Sequence, residues 1–547
     1  MANFREAAGR LGKLIKSQGL DVRRVILLAV IAGLLNLSLP LGIQAVINFL
    51  NAGELSTSWG VLVVFVLLGI TLVGVLQVRQ LRVTELIEQK IFADAALDIA
   101  DRLPRTQLGK HGRLYMPELI NRFFEIVTVQ KGLSKILVDF SGAGIQIVFG
   151  LILLSLYHPL FIVFGIVLIA LLYLTISLTG RPGLLTSLEE SKYKYQVAHW
   201  LEEVGRASST FKLVGHSKLP LERTDEHVMG YLKARNKHFR ILTVQYTAMI
   251  AFKISVAASL LILGSILVID RQINIGQFVA SEIIIVMTIG AVEKLVFSFQ
   301  TIYDMLTALE KLGTINDLEI ESSSGSEVRV KNEKGLHVRI ENLSFRYRPD
   351  EPPLINNFSA ELLPGKSYCV TGKSGSGRST LMKLITGLYD EFEGHIIIND
   401  LPLNSLNKSS LRRLTGDNFT ESDVFLGSIE ENIIAGRVGI SADNMLQAAQ
   451  QTGLHDFVEK LKMGYDTEVE PEGRRLSTTL RQLILLTRAV AGKPALMLLE
   501  EQALPQEPVL RKRVLDLMMA EHNPWTLLIA ATDPEVVNRC ENQYQLT

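Results

Sequence analysis

Six apolar stretches crowd the first three hundred residues of this chain: Val25–Leu50, Trp59–Val78, Ile136–Tyr157, Leu160–Leu178, Ile241–Ile269 and Ile275–Phe299. A helix rises about 1.5 Å per residue, so roughly 20 apolar residues cross the hydrocarbon of a bilayer. Each stretch approaches or exceeds that length. Buried helices of a large soluble protein are the alternative, but six such runs grouped ahead of a polar half argue for a membrane domain. They also put the apolar content of this 547-residue chain, 48%, at the top of the ordinary range. The net charge of zero argues against a nucleic-acid partner.

Basic residues set the orientation. Lys13, Lys16, Arg23 and Arg24 precede the first stretch, and the segments 79–135 and 181–240 are rich in Lys and Arg. Asn51–Ser58 has none, and Asp270–Asn274 has only Arg271. Cytoplasmic loops carry the excess of Lys and Arg, so both termini are expected inside. The first apolar run is too long for a signal-peptide core and no small-residue cleavage site follows it, so it is expected to stay as an anchor. The only cysteines, Cys369 and Cys540, fall in the expected cytosolic half, where disulfides are rare, and neither belongs to a Cys/His cluster.

Charges inside the stretches are costly unless they face protein or water. Lys253 and Glu293 each lie about 25 Å from the outer end of their helix, a depth at which they can pair. Asp139, near the inner end of the third stretch, either joins them or snorkels to the cytosolic edge. Glu282 sits about 9 Å into the sixth stretch from outside with no basic residue at matching depth. It is the pathway candidate, with a plain interfacial position as the alternative.

The character changes after the sixth stretch. Thr301–Asp317 reads as a helix leaving the membrane, and residues 318–335, with Ser322-Ser323-Ser324-Gly325-Ser326, read as a linker. The expected organisation is a transmembrane domain over 1–317, this linker, and an α/β domain over 336–547. In the last, His337–Ile340 and Leu343–Tyr347 alternate as two strands. Within it stands Gly372-Lys373-Ser374-Gly375-Ser376-Gly377-Arg378-Ser379-Thr380, a phosphate-binding loop with arginine where lysine is expected. In such a loop backbone N–H groups wrap a phosphate, the lysine reaches the β/γ oxygens and the hydroxyl holds Mg²⁺. Tyr368-Cys369-Val370 reads as the strand before it and Leu381–Ile385 as the helix after it. Arginine keeps the charge but replaces a compact ammonium with a wide planar fork.

The order of marks in this half resembles the ABC transporter family, in its exporter-type half-transporter form. The marks are Phe345-Arg346-Tyr347, the phosphate loop, Val424–Ile433, Leu476-Ser477-Thr478-Thr479-Leu480-Arg481-Gln482 and Ala495–Glu501. The resemblance covers nearly the whole chain. It implies six transmembrane α-helices followed by an α/β P-loop nucleotide-binding domain, with ATP and Mg²⁺ as cofactors. It also implies that Tyr347 stacks on adenine and that Gly372, Ser374, Gly375, Gly377, Arg378, Ser379 and Thr380 hold the phosphates. Ser379 and Glu500 would serve the metal, Glu501 would stand as base, and Ser477 would meet the nucleotide held by a partner subunit. In this family the region His199–Lys212 carries a short helix docking into the partner's nucleotide-binding domain. The amphipathic pattern suits that or a plain solvated helix.

Departures from the family pattern are concentrated where γ-phosphate, metal and water are positioned. The signature glycines are Thr478 and Thr479, the Gln before Phe425 is missing from Thr420-Glu421-Ser422, and Ala531 stands at the switch histidine. Glu500 carries the metal-supporting carboxylate one methylene further out, and Leu504-Pro505-Gln506-Glu507 replaces the stretch after the base. Phosphoryl transfer depends on positioning and charge, so together these changes favour slow or absent hydrolysis, with compensated activity left open.

The resemblance implies a homodimer or a heterodimer with another ABC half-transporter in a bacterial inner membrane, exporting peptides or proteins with a membrane-fusion adaptor. No peptidase-like segment precedes the first stretch, so leader cleavage is not expected. A non-hydrolysing scaffold or regulatory subunit of an export complex is the alternative. The orientation is testable: an impermeant thiol reagent added from outside should label a cysteine placed at position 55 and not one at 326. The reverse pattern would overturn the Lys/Arg reading.

Overall fold

The computed structural model describes residues 4–51, 57–107, 116–330, 334–420 and 423–546. They form two compact units, Met1–Pro104 with Leu114–Leu318, and Arg105–Arg113 with Glu319–Thr547. Most of the expected outer loop Asn51–Ser58 lies outside the described residues.

The first unit is helical: α1 (Phe4–Ser17), α2 (Gly19–Asn36), α3 (Ser38–Asn51), α4 (Thr57–Arg102), α5 (Met116–Asn121), α6 (Glu125–Lys135), α7 (Ser141–Tyr157), α8 (Leu160–Arg206), α9 (Ser208–Leu213), α10 (Leu219–Ile269) and α11 (Ile275–Asn316). Among the described residues six helical stretches are long and apolar enough to cross a membrane. Side chains such as Val64, Phe65, Ile166 and Ile169 are exposed on α4 and α8, a surface suited to hydrocarbon and costly in water. In α11, 50% of the apolar stretch is buried against 6% in α4, so α11 is the central helix and α4 a peripheral one.

Three features differ from the sequence reading. Val25–Leu50 is not one helix: it breaks at Leu37 between α2 and α3, because Pro40 has no N–H and its ring crowds the carbonyl of residue 36. Segments read as excursions continue the spanning helices, giving 46 residues in α4, 47 in α8 and 51 in α10. The third stretch opens on a π-helical turn, Ile136–Phe140, which contains Asp139.

Some polar groups inside this unit find partners between helices. Gln245 on α10 donates to Thr179 Oγ1 on α8 at 2.7 Å and to the Tyr303 hydroxyl on α11 at 2.8 Å. Lys253 Nζ and Glu293 Oε2 lie 3.6 Å apart, the pairing that their matched depth allows. Of His199–Lys212, the first part ends α8 and the rest forms α9. Trp200 ties the turn together, donating to Pro220 O at 3.2 Å with the Arg223 guanidinium 5.0 Å over its ring.

The second unit holds two sheets. An antiparallel sheet runs β2-β1-β4-β5, from β1 (Val338–Phe345), β2 (Ile355–Leu362), β4 (Glu393–Ile398) and β5 (Leu401–Pro402). A parallel sheet runs β11-β3-β10-β9-β6, from β3 (Ser367–Gly372), β6 (Thr415–Asn418), β9 (Leu496–Glu500), β10 (Thr526–Ala530) and β11 (Asn542–Leu546). Strands buried on both faces read as continuous apolar runs, and every residue of β9 and β10 is buried. A short pair, β7 (Gly427–Ser428) and β8 (Glu468–Val469), stands apart. The two strands expected over 337–347 are one, β1, bent by irregular pairing around Asn342, whose φ is 50°.

The segment expected as a linker is held to this unit where it is described. Glu321 takes both arms of the Arg412 guanidinium at 2.6 and 2.8 Å, and Ser326 bridges Leu406. Cys369 and Cys540 are buried free thiols.

Register places the functional edge. Ala530 pairs with Val370 on one side and Glu500 on the other, so the phosphate loop after β3, the acidic pair after β9 and Ala531 after β10 leave one end of the sheet together.

Close helix packing in the first unit gives a test. A Cβ on Gly183 would stand 2.5 Å from the Tyr303 ring, so α8 reaches α11 only because residue 183 has no side chain. Gly183→Val should lower the unfolding free energy by about 1–3 kcal/mol through overpacking, read as a lower unfolding midpoint in lipid. An unchanged midpoint would show that this approach contributes nothing.

Candidate functional site

The phosphate loop is built by the end of β3 and the start of the next helix, α12 (Arg378–Ile385). Gly377 precedes α12 in the left-handed conformation, φ 91°, with Leu354 and Ile355 packed behind it; a side chain there would be strained and crowded. That turn aims the free N–H groups at the start of α12 into a cavity of about 280 Å³. Residues 374–380 line it with Leu354, Glu500, Glu501, Gln502 and Ala530. Exposed amide donors at a helix start, with the dipole behind them, make a site for phosphate.

Tyr347 lies just beyond β1, half exposed, and its hydroxyl is 2.8 Å from Thr380 Oγ1 in the loop. Its ring meets Phe345 and Tyr389 edge-on at 5.0 and 5.6 Å. The aromatic platform and the phosphate loop are thus joined by one hydrogen bond.

The two acidic residues are engaged by loops. Glu500 is 5% exposed, and its Oε2 accepts the Thr420 N–H at 2.8 Å and the Thr420 hydroxyl. Glu501 Oε2 accepts the N–H groups of Thr532 and Asp533 at 2.6 and 3.1 Å. Its Oε1 accepts from Arg511 at 3.4 Å, and Arg511 also reaches Asp533 at 2.9 Å. Arg511 stands in the first turn of α18, counted after α13 (Lys408–Arg413), α14 (Ile429–Ile434), α15 (Ala442–Thr452), α16 (His455–Val458) and α17 (Thr478–Ala491); α18 is Pro508–Met518. At the switch position Ala531 is fully buried and offers only a methyl group.

Arg378 contrasts with its neighbours. It lines the cavity, half-buried, and among the described residues no hydrogen bond or ion pair holds its guanidinium. Both carboxylates that share the cavity have donors of their own.

Other expected residues lie elsewhere. Ser477 is exposed and caps α17, its Oγ accepting the Leu480 N–H at 3.2 Å. It does not line the cavity. Glu282 is half-buried on α11, in the first unit. Glu421 and Ser422 are outside the described residues. The sequence reading missed Arg511, which no motif marks, and saw Thr420 only as a missing glutamine. It also passed over Arg437 and Arg488, where burial pushes the guanidinium pKa below its usual value while their N–H groups bond backbone carbonyls.

The residues present suit a nucleotide's phosphates, but the metal donor set fits poorly. Mg²⁺ demands near-ideal octahedral oxygen geometry, supplied in such sites by a hydroxyl, a carboxylate and phosphates. Ser379 is retained, whereas Glu500 has an oxygen already occupied by two Thr420 donors.

The family model of the ABC transporter transmembrane region matches residues 23–292, and that of the ABC transporter matches 355–503. The Leukotoxin export ATP-binding protein LtxB of Aggregatibacter actinomycetemcomitans is 29% identical over 302 residues, 55% of this chain and 42% of that protein. The Alpha-hemolysin translocation ATP-binding protein HlyB of Escherichia coli O157:H7 is 30% identical over 305 residues, again 55% and 42%. The matched region thus spans less than half the length of these relatives. A solved structure, that of a bacterial Atm1-family ABC exporter with ATP bound, shares the fold at a TM-score of 0.86 and 21% identity, covering 97% of this chain and 94% of that one. Six apolar membrane helices followed by an α/β domain with a phosphate loop, matched by both family models, make this chain a member of the ABC transporter family.

Proposed function

We propose that this chain, with a transmembrane domain over 1–317, a linker over 318–335 and a nucleotide-binding domain over 336–547, is a half-transporter subunit of a peptide or protein exporter. It sits in a bacterial inner membrane with both termini cytoplasmic, pairs with a second copy or another half-transporter, and works with a membrane-fusion adaptor. The export and translocation roles named for LtxB and HlyB support the substrate class. Glu282 is the pathway residue proposed for the membrane domain.

In this reading the chain's own site binds ATP and hydrolyses it weakly or not at all. The supporting observation is the engagement of Glu501. A general base must reach the attacking water, and this carboxylate instead caps two backbone N–H groups and pairs with Arg511. Ala531 cannot orient water or a γ-phosphate oxygen. Tyr347 would stack on the base, and the loop from Gly372 to Thr380 would hold the phosphates. Ser477, outside this cavity, would face the site of the partner. The same engaged carboxylates favour a second reading, a non-hydrolysing scaffold or regulatory subunit.

Phosphate release by the purified chain in lipid tests this. Turnover should fall well below about 1 s⁻¹, the low end of ordinary enzyme rates. Glu501→Gln should leave that residual rate within about twofold, because no step depends on the carboxylate as base. The same substitution, and Arg511→Met, should each lower stability by about 1–3 kcal/mol through the broken pair and the donors left behind, seen as a lower unfolding midpoint. Exporter-like turnover that Glu501→Gln abolishes would overturn the reading.

A further inference from the structure

We propose that the nucleotide site of this chain takes ATP without a divalent cation, with the Arg378 guanidinium clasping the phosphate oxygens. The inference rests on the reading of the cavity as a nucleotide site and goes beyond it in naming the form of the ligand.

Three observations meet here. First, one oxygen of the metal-supporting carboxylate is committed. Glu500 is almost fully buried, and one oxygen accepts both the N–H and the hydroxyl of Thr420. Thr420 begins the stretch that replaces the expected glutamine, so one residue removes an oxygen donor and occupies another. Second, the other carboxylate in the cavity is engaged by two backbone N–H groups and by Arg511, which it shares with Asp533. Third, Arg378 has no partner among the described residues although it lines the same cavity as both acids.

A guanidinium half-removed from water and left without a counter-charge favours an anion. Its planar fork binds two phosphate oxygens at once, a bidentate contact that a lysine ammonium cannot make. Next to it the N-terminus of α12 presents backbone donors, with Gly377 shaping the turn. Together these donors face the phosphates of a bound nucleotide.

The test uses the full chain in lipid and N-methylanthraniloyl-ATP as the probe, its binding followed by fluorescence anisotropy in excess Mg²⁺ and in excess EDTA. The dissociation constants should agree within about threefold, and Arg378→Ala should weaken binding about tenfold or more in both media. Thr420→Gln combined with Glu500→Asp, which frees the acid and restores an oxygen donor, should bring in a Mg²⁺ dependence of about tenfold. Unfolding midpoints without nucleotide verify that each variant folds; if the double variant does not, the two media and Arg378→Ala still decide. Binding by the unmodified chain that is lost in EDTA, or affinity indifferent to Arg378→Ala, would overturn the inference while leaving a nucleotide site in place. No binding in either medium would overturn both.

Discussion

Hydrocarbon offers no hydrogen bonds, so every peptide group that enters it must bond within its own segment, and this constraint organises the first unit. It explains why α4, α8 and α10 run unbroken far past the length of a bilayer: a helix once formed continues cheaply into water. It also explains where breaks are tolerated. Pro40 interrupts the first crossing, and at the break the Leu37 N–H bonds back to the Leu34 carbonyl. Polar side chains obey the same accounting. The Gln245 amide nitrogen donates to Thr179 and Tyr303 between three helices, and Lys253 is paired with Glu293.

In the second unit the corresponding constraint is the parallel sheet, which delivers three loops to one edge. A strand order of β3-β10-β9 sets the phosphate loop and the acidic pair on either side of β10. That arrangement depends on apolar strands, not on the chemistry of the residues that follow them. The fold is therefore compatible with arginine, alanine and threonine at the positions where the family pattern has lysine, histidine and glutamine. The edge keeps its polar groups, and buried ones must be bonded whether or not they catalyse. Glu500 and Glu501 satisfy that demand by fastening residue 420 and residues 532–533 to the end of β9.

Much of this was legible in the sequence, for identifiable reasons. Apolar runs of bilayer length report directly on the medium, and the spacing of the phosphate loop reports on a backbone conformation few sequences adopt. The depth of Lys253 and Glu293 was computable from helical rise alone, and they do meet. Other features were not readable. The break at Leu37 was marked by Pro40, but an apolar count does not register it. The single strand β1 looked like two because Asn342, a residue that tolerates positive φ, bends it. Arg511 was invisible because its partner is ten residues away in sequence, across a turn, with no motif joining them. Periodicity reports which residues face a core. It does not report which donors a carboxylate will find.

The substitutions at the site also form a consistent set. With a lysine, a free acidic pair and a histidine, the cavity would hold opposed charges balanced by a metal and aligned on a water. Arginine in the loop alone would leave those acids facing a larger cation and draw them into ion pairs with it. That does not happen: Thr420 takes one acid and Arg511 with Asp533 takes the other, so the guanidinium of Arg378 stays uncommitted. The donors that hold the two carboxylates are the ones that leave the Arg378 guanidinium without an ion-pair partner among the described residues.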